Sequence, residues 1–201
     1  MANENWDASL NTRHISTNLE NYEAARSAFF TLIVDDLTNL LKPDYTGEID
    51  AATESDYISN AQEVLKLNVV KAPVPTFEVS TEEFRRGNDV VRFAGLPTWN
   101  TGGTIEVDDI VGLDTKSILM SWLYLAYNPH TRKGGRMKDY KKTATLCEYT
   151  QDYELIRSWT IEGMFITKID EDDFDRTADG KRQLHVTFSF DRATVNLPDE
   201  E

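Results

Sequence analysis

Gln183-Leu184-His185-Val186-Thr187-Phe188-Ser189-Phe190-Asp191 is the stretch on which the reading of this chain turns. Leu184, Val186, Phe188 and Phe190 alternate strictly with Gln183, His185, Thr187, Ser189 and Asp191. Successive side chains of an extended backbone point to opposite faces, so this segment is a strand with one oily and one wet side. Working upstream, Thr143 to Tyr149 and Glu154 to Glu162 read as a hairpin turning at Gln151-Asp152. Phe77 to Arg86 and Val90 to Ala94 read as another, with Gly87-Asn88-Asp89 as the turn, because Gly and Asn tolerate positive φ. Gly95-Leu96-Pro97 is expected to end it, and Gly102-Gly103 to lead into a strand from Thr104 to Val111. Phe29 to Leu37 is the first strand, and Leu67 to Val70 a short one before Pro73 and Pro75.

Two helices are expected. Asp114 caps the stronger, whose broad apolar face holds Ile118, Leu119, Trp122, Leu123, Leu125 and Ala126 before Asn128-Pro129 stops it. A second begins at the capping-box pair Thr53 and Asp56, with Tyr57, Ile58, Ala61, Val64 and Leu65 at helical spacing. The expected fold is mainly β: an antiparallel barrel or sandwich of about seven strands, one α-helix packed across it, an inserted short helix and an N-terminal arm. Amphipathic strands in sequential hairpins must close on themselves or stack. The boundaries read as an arm over 1–27, a β domain over 28–196 with an insertion at 42–66, and an acidic tail over 197–201. At roughly 150 residues per domain, 201 residues make one domain with appendages.

Lys plus Arg total 21 against 35 Asp plus Glu, a net charge of −14. Free nucleic acid is a poor partner for such a chain, because phosphate attraction comes from clustered cations. One cysteine, Cys147, excludes an intrachain disulfide framework and fits a reducing compartment. The polar, acidic opening is unlike a secretory leader, and no apolar run approaches the ~20 residues of a membrane span, so a soluble protein made in a cytoplasm is expected.

The search for chemistry returns little. His14, His130 and His185 lie in no metal-binding or nucleophilic motif, and Cys147 has no histidine nearby in sequence. The run Asp170-Glu171-Asp172-Asp173-Phe174-Asp175 lacks the glycine and terminal glutamate of a calcium loop. No phosphate-binding or dinucleotide motif occurs, so no catalytic residue, metal or cofactor is expected. The stretch Arg132-Lys133-Gly134-Gly135-Arg136-Met137-Lys138-Asp139-Tyr140-Lys141-Lys142 is more informative: six cations and one acid in a chain otherwise at −19. A segregated positive loop on an acidic chain suits docking onto a second copy.

The order of motifs then carries a resemblance. After the first strand come the long hairpin turning at Arg86-Gly87-Asn88, Gly95-Leu96-Pro97, the strand at Thr104-Ile105 and the helix bearing Trp122. Tyr140-Lys141-Lys142, Thr145-Leu146-Cys147-Glu148 and Arg157-Ser158-Trp159-Thr160-Ile161-Glu162-Gly163-Met164-Phe165-Ile166 follow. This set resembles the tail tube protein of contractile-tailed bacteriophages, whose fold is shared with the inner tubes of type VI secretion and R-type bacteriocins. The likeness covers roughly Phe29 to Val195. The segment from Lys42 to Leu65 and the arm before Phe29 are longer than a minimal tube subunit needs.

The resemblance implies a structural virion protein and not an enzyme. Its partners would be itself, in hexameric rings stacked into a tube, with sheath, baseplate and tape-measure proteins around it. Genome DNA would pass through the lumen during tail contraction without specific binding. Assembly would take place in the host bacterial cytoplasm, and the product would sit in the virion tail. A tube initiator, terminator or baseplate adaptor is the alternative, and an unrelated β-barrel enzyme or ligand-binding protein stays open. Lumen-facing candidates are Glu78, Ser80, Glu82, Glu154, Ser158, Thr160 and Glu162, with the face left open because Ile156 shares parity with Ser158. Candidates for contacts between subunits or rings are Arg85, Arg86 and Asn88 at the hairpin tip, and Arg132, Lys133, Arg136, Lys138, Lys141 and Lys142 in the basic loop. Trp122 and Trp159 are expected to anchor the core.

Overall fold

The structure, a computed structural model, describes residues 25–37, 40–44, 51–172 and 180–197. The sheet grows around one long strand. Gln183–Ser189 (β12) shows the alternation read from sequence: Leu184, Val186 and Phe188 are buried, with Phe190 just beyond, and the residues between them are half-exposed. β12 pairs on one side with Gly102–Asp108 (β7) and on the other with the distal half of Leu155–Glu171 (β11). The near half of β11 pairs with Lys142–Tyr149 (β10) and, on its opposite margin, with Arg192–Asn196 (β13). Phe30–Val34 (β1) adds to β10, and Val69–Lys71 (β4) to β7. All pairings are antiparallel, and these seven strands form one curled sheet with β11 common to both halves.

The 17-residue β11 extends nine residues past the expected end at Glu162. Gly163 makes this possible. Its φ of +70° puts a kink in the strand where the partner on that margin changes from β13 to β12. On its near half Trp159 and Ile161 face the core; past the kink Met164 and Ile166 do.

Thr115–Ala126 (α2) lies across the core face. Ile118, Leu119 and Trp122 are fully buried there among Leu146, Trp159, Ile161, Met164 and Ile166. Trp122 and Trp159 are thus core residues, as expected. Ala61–Asn68 (α1) packs beside α2 and presses Ala61, Val64 and Leu65 into the same core, and its buried Asn68 donates to Thr115 Oγ1 at 2.9 Å.

Several boundaries differ from the sequence reading. The capping box forms, with Thr53 N–H donating to Asp56 Oδ2 at 2.8 Å, but it starts only a single 3-10 turn. Tyr57–Ile58 (β3) then runs extended to pair with Leu40–Leu41 (β2), and the helix restarts at Ala61. It ends at Asn68, so the expected short strand begins at Val69 rather than Leu67. The strand expected over Thr104–Val111 is Gly102–Asp108, followed by a 3-10 turn. Asp114 precedes α2 in the left-handed region, φ 49°, and makes no side-chain cap bond. The first strand ends at Val34, where the expected span ran to Leu37.

Gly95-Leu96-Pro97 does not end the hairpin. Phe77–Arg86 (β5) pairs with Asp89–Trp99 (β6) through to Phe77 opposite Trp99, and Pro97 sits opposite Val79 on a strand with no second neighbour among the described residues, where a missing N–H is tolerated. Gly87 (φ 64°) and Asn88 make the two-residue turn. The basic segment is not a plain loop either: Tyr127–Asn128 (β8) pairs with Lys133–Gly134 (β9), and Met137–Tyr140 (α3) follows. The arm up to residue 24, where His14 lies and where Thr17 and Glu20 have the spacing of another capping box, residues 45–50 of the insertion, the end of the acidic run from 173 with the residues that follow it up to 179, and nearly all of the C-terminal tail lie outside the described residues.

Candidate functional site

Three surfaces stand out: the outward face of the sheet, its open margins, and two projections that the body does not cover. The outward face is built by parity. On the near half it carries Thr31, Ile33, Thr145, Cys147, Ser158, Thr160, Glu162, Arg192, Thr194 and Asn196, all set by cross-strand register. Asn196 Nδ2 donates to Thr160 Oγ1 at 2.9 Å, and Arg192 Nε to Glu162 Oε2 at 2.6 Å. That carboxylate holds the Arg192 guanidinium above its already high value. On the distal half the same side presents Thr104, Glu106, Asp108, Lys168, Asp170, His185 and Thr187.

Charge on this side cancels locally. Lys71 meets Glu106 at 2.6 Å, Lys181 meets Asp108 at 2.7 Å, Lys168 meets Asp170 at 2.8 Å and Arg192 meets Glu162. The net charge of −14 is therefore not concentrated here. The face is mostly small hydroxyls and neutralised ion pairs, interrupted by Ile33, Cys147 and Phe165.

The bond from Lys181 to Asp108, reinforced by Gln183 Nε2 at 2.9 Å, holds that carboxyl below the usual carboxylate range. Lys116, at 2.7 Å from α2, does the same to Glu171 at the end of β11, with Arg182 also bonded to it. A carboxylate whose folded pKa is depressed stabilises the fold above its unfolded value, and that contribution disappears as pH falls through the folded one. The melting temperature is expected to be flat from pH 8 to about 5 and to fall below about 4, the ordinary carboxylate range. Thermal scans check this; Asp108→Asn should show a shallower acid slope than the parent.

The near half-sheet, β1-β10-β11-β13, has two open margins among the described residues. Tyr149 N–H donates to Phe29 O and Asp35 N–H to Thr143 O. That phase directs the N–H and C=O groups of Phe30, Leu32 and Val34 away from β10, to the free side. The outer side of β13 is likewise without a partner among the described residues.

The two projections are the β5–β6 hairpin and the basic segment. Every residue of β5 and β6 is exposed except the half-buried Gly95 and Trp99. In the basic segment, Arg132, Lys133, Arg136 and Lys138 are exposed and make no ion pair among the described residues. Lys141 and Lys142 differ. Lys141 Nζ binds both carboxylate oxygens of Asp191 at 2.8 Å, and Lys142 is buried with its ammonium 3.4 Å from Asp36. Gly135 holds the segment to the helix end: its N–H donates to Ala126 O at 3.0 Å, and a Cβ there would fall 1.7 Å from Leu125 O.

The seven lumen candidates therefore separate. Ser158, Thr160 and Glu162 share the outward face of β11, Glu154 lies in the turn before it, and Glu78, Ser80 and Glu82 sit on the projecting hairpin. Ile156, the residue that left the face open, lies where a register shift between Glu148 and Tyr149 interrupts the pairing with β10. The tip residues Arg85, Arg86 and Asn88 are exposed at the far end of the hairpin. Sequence reading missed β13, although Arg192-Ala193-Thr194-Val195-Asn196 alternates as clearly as β12 does. Cys147 is buried in β10, and His185 Nε2 lies 3.3 Å from Asp172. Among the described residues no group of His, Cys, Asp and Glu is placed to hold a metal, and no helix is long and apolar enough to cross a membrane.

No family model and no curated protein matches this chain. Solved structures do. The sheath–tube complex of the extracellular contractile injection system PVC, in its extended state, contains a chain that superposes with a TM-score of 0.58 at 17% identity, over 93% of this chain and 98% of that one. The PVC sheath/tube terminator gives 0.58 at 18% identity, over 87% and 97%. The terminating cap of the anti-feeding prophage tube gives 0.57 at 14% identity, over 87% and 92%. The fold is that of the tube proteins of contractile injection systems, the fold the sequence motifs resemble.

Proposed function

We propose that this chain is a tube subunit of a contractile tail, forming hexameric rings that stack into a hollow conduit. The observation that carries the reading is the near half-sheet, with both margins open among the described residues and a mostly polar, charge-neutral outward face. Bare strand margins are an aggregation hazard unless something pairs with them. In a ring, β1 of one copy adds to β13 of the next, the contact is heterologous, and closure leaves no margin free. Four strands from each of six copies then make one inner barrel. The side packed against α2 is the subunit core, so the Thr- and Ser-rich side faces the lumen.

That face suits passage of a polyanion such as genome DNA. Each Lys or Arg left free would bind phosphate and release counterions, and the effect would repeat in every subunit. Here the cation of that wall, Arg192, is neutralised by Glu162 beside it. Lubrication comes from local neutrality rather than from the anionic wall that net charge alone suggests. The likeness to extracellular injection particles, to a tube terminator and to a tube cap supports a second reading of the same fold, a single ring at a tube end. Sheath and baseplate are the proposed partners in either case, and a tape-measure protein in the lumen during assembly. The virion tail is the proposed location.

Negative-stain micrographs of concentrated protein test this. Stacked rings are expected, isolated rings would favour the tube-end reading, and a strict monomer would end both. Arg136→Glu with Lys138→Glu should cut the sedimenting polymer at least tenfold while circular dichroism stays unchanged. Unaltered assembly would remove the basic segment from the contact.

A further inference from the structure

The two ends of the near half-sheet differ in charge. β1, β10, the near half of β11 and β13 lie side by side, and the 8 residues of β10 set the two ends about 25 Å apart. At one end stand the start of β10, Gly163 and the start of β13, and the basic segment is fixed there. Lys141 Nζ binds Asp191 just before β13, Lys142 opens β10, and Trp122 Nε1 donates to Tyr140 O at 2.9 Å. Arg132, Lys133, Arg136 and Lys138 are exposed beyond these anchors with no ion pair among the described residues. Against these four stand the exposed Asp139 and Asp35, the latter joined to Thr143 O through its N–H.

At the opposite end β10 passes into β11 through residues 150–154. Asp152 and Glu154 are exposed there. Their N–H groups both donate to Thr150 Oγ1, at 3.2 and 3.1 Å, which fixes the turn and leaves both carboxylates without an ion pair among the described residues. β13 finishes at the same end, with Asn196 opposite Ser158. The sequence after Leu197 brings Asp199, Glu200 and Glu201, within about 14 Å of it by chain length. The exposed cation at this end is Arg26, whose carbonyl accepts from Phe29 N–H at 3.3 Å; Arg157 is bound to Glu148 at 2.8 Å.

One end is therefore positive on balance and the other negative. A separation of about 25 Å is some three Debye lengths at physiological salt, so within one copy the two ends hardly sense each other. Their attraction is realised only where one copy meets the opposite end of another. Strands of a closed barrel run from rim to rim with a tilt of about 35–45°, so these ends become the two rims of a ring.

We infer that the basic segment of each copy docks on the acidic rim of a second copy in the adjoining ring, on Asp152, Glu154 and the tail after Leu197. The inference rests on the tube reading and adds to it what drives the stacking step. Rings stack head to tail because the reverse order sets like charges together, and complementary charge fixes the register. Apolar surface is covered in the same contact: Met137 of the segment is 61% exposed, and Val195 and Leu197 at the acidic rim are 55% and 73% exposed. Ring closure rests instead on backbone hydrogen bonds between strand margins, so salt acts on stacking and spares the ring.

The test treats protein assembled from isotope-labelled and unlabelled chains with a carbodiimide, which joins a lysine amine to a carboxylate in direct contact. Lys133 or Lys138 is expected to be joined to Asp152, Glu154 or residues 199–201, in crosslinks of mixed isotope content. Assembly in 1 M NaCl, where the Debye length is ~3 Å, should give single rings in place of tubes. Asp152→Lys with Glu154→Lys should cut the sedimenting polymer at least tenfold, with single rings in micrographs and an unchanged circular dichroism spectrum. If tubes form equally in 1 M NaCl, if these lysines are joined to other carboxylates, or if the reversed rim assembles as the parent does, the docking is wrong and the tube reading stands. If the parent stops at isolated rings, the docking falls and the tube-end reading remains. If the parent stays monomeric at high concentration, all fail.

Discussion

Trp122→Ala is expected to lower the unfolding free energy by about 3–5 kcal/mol, the usual cost of truncating a fully buried indole. Against the ~5–15 kcal/mol that separates native from unfolded states of ordinary domains, this removes a large share of the margin. The indole is 1% exposed in the middle of α2 and fills the space between the helix and β11. Its Nε1 donates to Tyr140 O at 2.9 Å, so the truncation also strips a carbonyl of its partner and loosens α3 from the helix. Trp122→Phe should recover most of the packing but not that bond, and should fall between parent and Ala. Urea unfolding followed by far-ultraviolet circular dichroism measures both. A loss below 1 kcal/mol for Ala would mean that α2 is not what holds the curled sheet closed.

Gly163→Ala should lower stability by about 2–3 kcal/mol despite adding only a methyl group. An L-residue in the left-handed region costs roughly 1–2 kcal/mol, and Gly163 is held there at φ +70°. The new Cβ would lie 2.2 Å from Asp191 Oδ2, a carboxylate that Lys141 already grips through both oxygens. Either the bulge relaxes or the ion pair breaks. Because Gly163 joins the two halves of the sheet, hydrogen exchange should rise in β12 and β13 together, while β5–β6 exchanges as in the parent. The same measurement on Lys141→Met separates the effects: loss of the ion pair alone should cost well under 1 kcal/mol, as exposed pairs do.

The two substitutions touch features that differ in how visible they were from residues alone. Trp122 sits in a run of apolar residues at helical spacing, and helical period is local. Gly163 looked like the end of a strand. Nothing within a few residues reveals that β11 continues for eight more, because the reason to continue is β12, some twenty residues further along the chain. The same holds for Gly95-Leu96-Pro97, a stop signal by local chemistry that the pairing of Phe77 with Trp99 overrides. At the candidate contact surfaces, the concentration of cations over Arg132 to Lys142 was plain, but not that Lys141 and Lys142 are spent within the chain on Asp191 and Asp36. On the proposed lumen wall, Ser158, Thr160 and Glu162 had a common parity in the sequence, but which way they face stayed open, because Ile156 shares it. Their grouping with Arg192, Thr194 and Asn196 was not legible, since a strand's partners are chosen across the chain.

Local pattern by itself determined the strand periods, the oily and wet sides, the dominant helix, and the absence of any familiar catalytic motif, because these depend on neighbours one to four residues apart. Tertiary structure alone decided which margins stay bare among the described residues, which charges are already neutralised, and that the long hairpin leaves the body with its oily residues exposed. Those depend on register between segments far apart in the chain, and a one-residue step in register moves a side chain from one face to the other.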